Sequence, residues 1–251
     1  MRWLDRVNPV SRLGAAIILS VALLLSLDPV SAGVVVIGEL LVALVVGVPF
    51  VALLRRLLPI FVAAPLAGVS TLLYSDPGGR IHFSWGLVTI SDQSIGYAFA
   101  IMLRIVALGL AVVVALWRVD PTDMADGLAQ VWRLPARFVL GTLAGIRLIG
   151  RLRDDWRSLE LARRARGLGD QGRFRRWAGL AFALLVSAVR RGSTLATAME
   201  ARGFGAGPRT WARPSTTGRA DVVCLLVAFL IAAAGLGIAW LTGAFRWIGS
   251  V

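Results

Sequence analysis

ELARRARGLG (residues 160–169) and ATAMEARGFG (196–205) align without a gap. Ala162/Ala198, Ala165/Ala201, Arg166/Arg202, Gly167/Gly203 and Gly169/Gly205 coincide, and Leu168 and Phe204 are both large and apolar. A glycine just past an apolar-periodic run is a helix C-terminal signal, because it takes the left-handed backbone that ends a helix. Each Ala-Arg-Gly triplet is therefore expected to close a helix, with its arginine at the helix end and reaching away from the body. Two such ends look like two plugs for two similar sockets.

The stretches before the triplets read as long helices. Ile146, Ile149, Leu152, Trp156 and Leu159 recur at spacings of 3 and 4, one apolar face. Arg147 and Arg151 lie one turn apart on a different face, as do Arg153 and Arg157. Leu180, Leu184, Ala188, Gly192, Leu195 and Met199 repeat the design before the second triplet. The apolar core of that helix, Trp177–Val189, is too short to cross a bilayer and reads as a packed interfacial helix. Asp120-Pro121 opens a helix with Asp as N-cap and Pro in the first turn, and Pro135 begins another. Gly141 and Gly145, four apart, permit a close helix contact. Residues 118–219 carry 19 arginines against 8 acidic residues. Asp154 and Asp155 lie among those arginines and are expected to pair locally.

Elsewhere the chain is apolar. Mean hydropathy is +0.77 and 57% of residues are hydrophobic, so the excess of 27 basic over 14 acidic residues points to a membrane protein rather than to nucleic acid. Five segments can span: Leu13–Leu27, Val30–Leu54, Leu57–Tyr74 (interrupted by Pro59 and Pro65), Ile95–Trp117 and Ala220–Leu241. The first is short, but no small-residue cleavage site follows it, so it reads as a span and not as a cleaved signal. Asp28-Pro29 leaves room only for a tight hairpin between spans one and two. Arg2, Arg6 and Arg12 precede span one, Arg55 and Arg56 separate spans two and three, and the Arg-rich segment follows span four. The opposite side holds Arg80 and Arg246. This asymmetry predicts an N-terminus and a 118–219 segment inside, and a C-terminus outside. In the outer loop a Pro-Gly-Gly turn followed by the alternating run His82–Ile90 predicts a small hairpin. Trp3, Trp85, Trp240 and Trp247 fall near span ends, as in an interfacial aromatic belt.

Two charges fall inside the spans. Glu39 and Arg104 each lie nine residues into a span, about 14 Å deep at a rise of ~1.5 Å per residue. A lone charge there costs about 2.5–3.5 kcal/mol on insertion scales, so a buried pair is one expectation; the alternatives are that Arg104 faces a membrane partner or caps a backbone carbonyl, and that Glu39 snorkels outward. The single histidine, His82, sits in the outer loop with no carboxylate pattern around it and reads as a plain loop residue. The chain lacks the His/Asp/Glu cluster that a membrane-embedded enzyme needs. It has no lysine and hence no phosphate-binding Gly-x-x-x-x-Gly-Lys loop. A single cysteine, Cys224, excludes an intrachain disulfide and a cysteine metal cluster. No cofactor or metal site is expected.

Taken with Asn8-Pro9, Asp28-Pro29, the Pro-Gly-Gly loop, Arg104, Leu134-Pro135 and the run LVSAVRRGSTLATAMEARGFG (185–205), the paired motifs resemble the transmembrane T component of energy-coupling factor (ECF) transporters. That family includes the cobalt- and biotin-system T proteins. The resemblance covers nearly the whole chain. It implies an all-α membrane protein with about five transmembrane helices and a cytoplasmic module of long amphipathic coupling helices. The expected division is 1–117 for spans one to four, 118–219 for the coupling module, and 220–251 for the last span and tail. The implied partners are two ABC-type ATPase subunits, a membrane-embedded substrate-binding S component and the lipid bilayer, with no nucleic acid. The implied role is a non-catalytic coupling subunit of a vitamin or metal-ion importer in a bacterial or archaeal plasma membrane. Carried over residue by residue, the ATPase-docking role falls on Ala165, Arg166, Gly167, Ala201, Arg202 and Gly203. One departure is at Gly150, where the family often has a proline, so any kink there must form at glycine. The nearest alternative is the permease subunit of a conventional ABC importer, of which Glu200-Ala201 with Gly203 is a faint echo. A single such loop is usual in that class, and this chain has two arginine motifs.

Overall fold

A computed structural model describes residues 6–75, 78–85, 88–167, 172–204, 207 and 210–245. The aligned Leu168, Gly169 and Gly205 lie outside the described residues, as do Arg2, Trp3, Arg246 and Trp247 and the side chain of Trp85. The chain divides into two compact units, one running to Met124 and resuming at Thr216, the other Ala125–Ser215.

Local caps set the helices of the first unit. Asn8 caps α1 (Pro9–Leu25), its Oδ1 accepting from the Val10 N–H at 3.1 Å, with Pro at N1. Asp28 caps α2 (Pro29–Val46), accepting from the Ser31 N–H at 2.6 Å and from the Ser31 hydroxyl at 3.0 Å. Asp28, Ser26 and Ser31 are all buried, so the tight turn is a closed hydrogen-bonded knot. The second predicted span is corrected by eight residues: α2 stops at Val46 because Gly47 turns left-handed (φ 75°), and Pro49 precedes α3 (Phe50–Tyr74). Arg55 and Arg56 therefore stand in the second turn of α3 and not between spans. Nor do Pro59 and Pro65 interrupt that helix, which continues through both. Each proline deprives one carbonyl of its N–H partner.

The predicted hairpin is present. Strand β1 (Ile81–Trp85) pairs antiparallel with β2 (Val88–Ser91), with Phe83 opposite Ile90, Ser84 opposite Thr89, and a register shift between Ile81 and Phe83. Ser91 then caps α4 (Asp92–Ala115), accepting from the Ser94 N–H at 3.2 Å. Among the described residues four helices are long and apolar enough to cross a membrane: α2, α3, α4 and Arg219–Leu241. Helix α1 is a shorter apolar helix of 17 residues.

Small side chains dominate where these helices meet. Ala15, Ala22, Ala32, Ala107, Ala228 and Ala232 share one buried cluster with Leu19, Leu23 and Val35. Without a hydrophobic drive between helices in lipid, close backbone approach supplies the packing. Gly109 shows how tight it is: a Cβ there would come within 2.2 Å of Ile60 Cδ1. A second cluster joins Ala43, Val46, Leu53, Leu57, Leu110 and Trp117. Outward positions such as Leu44, Val45 and Leu66 are exposed and apolar, as a lipid-facing surface requires.

The second unit is sparser. Helix α5 (Pro121–Gln130) opens as predicted, Asp120 accepting from the Thr122 N–H at 2.6 Å. Then come α6 (Ala136–Ala165) and α7 (Arg173–Ala201), and α8 (Arg219–Leu241) returns to the first unit. Val139 and Leu143 pack with Ala125, Leu128, Ala129 and Leu140 from α5 and α6. Trp156 and Trp177 join α6 to α7, with ring centroids 5.1 Å apart and a 58° tilt. On the predicted apolar face of α6, Leu152, Trp156 and Leu159 are half-buried, but Ile146 and Ile149 are exposed. A Cβ added at Gly141 or Gly145 would meet nothing within 4 Å, so that pair makes no close contact here.

Candidate functional site

The two aligned motifs fold into two copies of one helix end. Helix α6 closes on Ala165, with Arg166 as C-cap (φ −89°, ψ 5°) and Gly167 left-handed (φ 72°). Helix α7 closes on Ala201, with Arg202 as C-cap (φ −90°, ψ 12°) and Gly203 left-handed (φ 73°). The hydrogen bonds match: Gly167 N–H donates to the Arg164 carbonyl at 3.0 Å, and Gly203 N–H to the Glu200 carbonyl at 2.9 Å. At the second end Phe204 N–H also donates to the Met199 carbonyl at 3.0 Å, completing a Schellman motif.

Glycine is required at both ends by the backbone and not by crowding, since a Cβ at either would meet nothing within 4 Å. All six motif residues are exposed. Each end thus presents an arginine fork flanked by an alanine and a glycine with open space around them. Arg offers five donors in a rigid plane that matches a carboxylate or a carbonyl cluster.

Between α6 and α7 runs a groove of about 760 Å³. Leu143, Leu195 and Phe204 contribute apolar walls, and Arg147, Arg151 and Arg190 line it with charge. The i, i+4 spacing of Arg147 and Arg151 signals a shared face in the sequence, but nothing there shows that α7 lies opposite. Asp155 does not pair locally. Its Oδ1 accepts from Arg191 Nη2 at 3.0 Å across to α7, while Nη1 lies 2.7 Å from Oδ2 off the hydrogen-bond axis. Glu160 and Arg164, one turn apart, pair at 2.9 Å beside the first helix end.

The expected Glu39–Arg104 pair is not formed. Arg104 Nη2 donates instead to the carbonyls of Leu23 and Ser26, at the end of α1. The last carbonyls of a helix have no partner within it and carry the negative end of the helix dipole, so a half-buried guanidinium is well placed there. Both carboxylate oxygens of Glu39 are buried without a hydrogen-bond partner, and Glu39 lines a cavity of about 80 Å³ with Arg12 and Cys224. Equal depth along two helices says nothing about the direction each side chain faces, and that direction decided the outcome. His82 is also corrected: its Nε2 lies 2.6 Å from Asp92 Oδ1, tying the hairpin to the first turn of α4.

The family model for CbiQ, cobalt transport protein, matches residues 1–211, through both helix ends. The chain belongs to this family. Among the relatives of this CbiQ-family chain is the energy-coupling factor transporter transmembrane protein EcfT of Limosilactobacillus fermentum, 28% identical over 64% of this chain and 67% of the relative. The proteins of that name from Brevibacillus brevis and Listeria innocua are 26% and 25% identical. They cover 93% and 99% of this chain, and 93% and 94% of their own lengths. The CbiQ-family chain thus belongs with the T components of energy-coupling factor transporters as a family, and is a multi-pass membrane protein.

Proposed function

We propose that this CbiQ-family chain couples two ABC-type ATPase subunits to a membrane-embedded S component that binds the transported vitamin or metal ion. Arg166 and Arg202, with the small residues beside them, are the ATPase anchors. The observation that carries this reading is the repeated geometry: two helices end with the same cap, the same left-handed glycine and the same exposed arginine. Two like sockets on two like subunits are the simplest partners for two like plugs. Exposed Phe182, Leu185 and Val189, farther back along α7, add apolar area on the same helix. ATP is hydrolysed by the partners. The arginine asymmetry supports an orientation with the N-terminus and residues 118–219 cytoplasmic, the C-terminus outside, and five crossings.

Co-purification with the ATPases in detergent tests the anchors. Truncation of an interfacial arginine anchor costs ~2 kcal/mol, about 30-fold in affinity. Arg166→Glu or Arg202→Glu alone should weaken the complex, and the double variant should lose it. A double variant with wild-type assembly would sink the reading. For orientation, an external thiol reagent on a Cys224→Ser background should label Arg80→Cys and spare Ser158→Cys; the reverse pattern inverts the topology.

A further inference from the structure

The chain leaves the membrane unit after α4 and returns before α8. Both connections are held at one place, the start of α1. On the outgoing side, Arg12 Nη1 donates to the Trp117 carbonyl at 3.2 Å, while its Nε and Nη2 donate to the Val7 carbonyl at 3.2 and 3.0 Å. Trp117 is buried, and the Arg56 guanidinium of α3 lies 4.2 Å from the centre of its ring. Immediately beyond, Arg118 is left-handed (φ 54°), a conformation rare outside glycine, so the outgoing chain turns sharply at the point where it is gripped.

On the returning side, Asn8 Nδ2 donates to the Thr216 carbonyl at 3.3 Å. The Asn8 N–H donates to Asp221 Oδ1 at 2.7 Å, and the Gly218 N–H donates to Asp221 Oδ2 at 2.6 Å. Asn8 and Arg12 are one helical turn apart on α1. Arg12 and Asp221 are buried, at 7% and 3% exposure, which is unusual for charged side chains and requires that they be satisfied internally. Within the second unit the same two chains are tied again. Gln130, the last residue of α5, donates to the Arg213 carbonyl and accepts from the Ser215 N–H, both at 2.9 Å.

We propose that Asn8, Arg12 and Asp221 form a clasp that fixes both connections of the coupling unit to the start of α1. Through it, displacement of the coupling helices passes into the membrane helices. The proposal rests on the coupling role argued above. A flexible linker would absorb a push from the ATPases; two segments hydrogen-bonded to the start of one helix transmit it. These three are positioning residues.

The test uses the full chain assembled with its ATPases in nanodiscs, on a Cys224→Ser background. Spin labels stand at the lipid-facing positions Leu44→Cys (α2) and Trp240→Cys (α8), and their separation is measured without nucleotide and with ATP plus vanadate. Asn8→Ser keeps an oxygen to cap α1 and removes the amide that holds Thr216. Asp221→Asn keeps one acceptor of two. Arg12→Ala removes the outgoing grip, and Arg12→Lys restores a charged donor.

The unaltered chain is expected to show a nucleotide-driven change in separation. Asn8→Ser, Asp221→Asn and Arg12→Ala should lose it while still binding the ATPases and supporting hydrolysis, and Arg12→Lys should recover part of it. A full shift in the first two variants overturns the clasp. So does a parallel loss of assembly, hydrolysis and shift in those mild variants, which would mark a purely structural role. If Arg12→Ala fails to assemble, the two mild variants decide. An unaltered chain that binds ATPases but shows no shift overturns the clasp alone; one that binds no ATPase overturns the coupling reading beneath it.

Discussion

The membrane unit hides its polar groups, and the α6–α7 unit displays its own. Around α1, α2, α4 and α8, Arg12, Asp28 and Asp221 are buried and each is bonded to backbone. Among the described apolar side chains of the second unit, only Ala125, Val139, Leu143 and Leu180 are buried, while long faces of α6 and α7 carry exposed leucine, phenylalanine and arginine. In lipid there is no water to satisfy a stray donor or acceptor, so the first unit closes most of its own hydrogen bonds, the Glu39 carboxyl standing out as an exception. Helices α6 and α7, at 30 and 29 residues, bury little between them, which suits the docking role proposed for them. One unit has a packed core, with the Glu39 carboxyl as its unsatisfied exception; the other, on the proposed function, supplies half of an interface.

The largest effect that could break this contrast is a cavity. Leu110, almost fully buried among Ala43, Leu53, Leu57 and Trp117, should cost about 2–5 kcal/mol when cut to alanine, read as detergent-phase unfolding. Phe182→Ala, on the exposed face of α7, should stay within about 0.5 kcal/mol on the isolated chain and yet weaken ATPase capture. The reverse ranking would mean that the second unit has a core of its own.

Next in size is the α1–α2 knot. Asp28→Ala removes the acceptor for the Ser31 N–H and hydroxyl and should lower stability by about 1–2 kcal/mol, while Asp28→Asn should recover part of the loss. A neutral Asp28→Ala would show that the cap is incidental to the hairpin.

Smaller still are the helix ends. Gly167→Ala and Gly203→Ala force alanine into φ 72° and 73° and should each cost about 1 kcal/mol, equally within error because the two ends share one geometry. Hydrogen exchange over the last turns of α6 and α7 would read this, and unequal costs would break the equivalence of the two plugs. Smallest is the Asp155–Arg191 bridge. Partly exposed on both sides, it should contribute about 0–1 kcal/mol in a double-mutant cycle and fade in high salt. A larger coupling would mean that α6 and α7 are held together by charge more than by Trp156 and Trp177.

Part of the helix punctuation was legible residue by residue. Asp120-Pro121 opens a helix and Gly167 and Gly203 each end one, as read from the sequence; that Asn8 and Asp28 cap α1 and α2 came from the structure. The boundary between α2 and α3 was missed because the apolar run continues through Gly47 and Pro49, and hydropathy outweighed two backbone signals. Helix α3 was read as broken because proline weakens a helix locally; a helix embedded among neighbours in lipid tolerates it.

What a few consecutive residues decide was therefore largely legible: several helix ends, the repeated arginine ends and the charge asymmetry. Caps and periodicity act over one or two turns, so their physics is complete within a short window. The tertiary structure decided where the charges went. Arg104 bonded to Leu23 and Ser26, 81 and 78 residues away, and Glu39 did not join it. Arg12 reached Trp117 across 105 positions, and Asp221 reached Asn8 across 213. Such partners depend on the rotation of each helix about its own axis. That rotation is set by the packing of alanines and glycines from several helices at once, and no single stretch of the chain contains it.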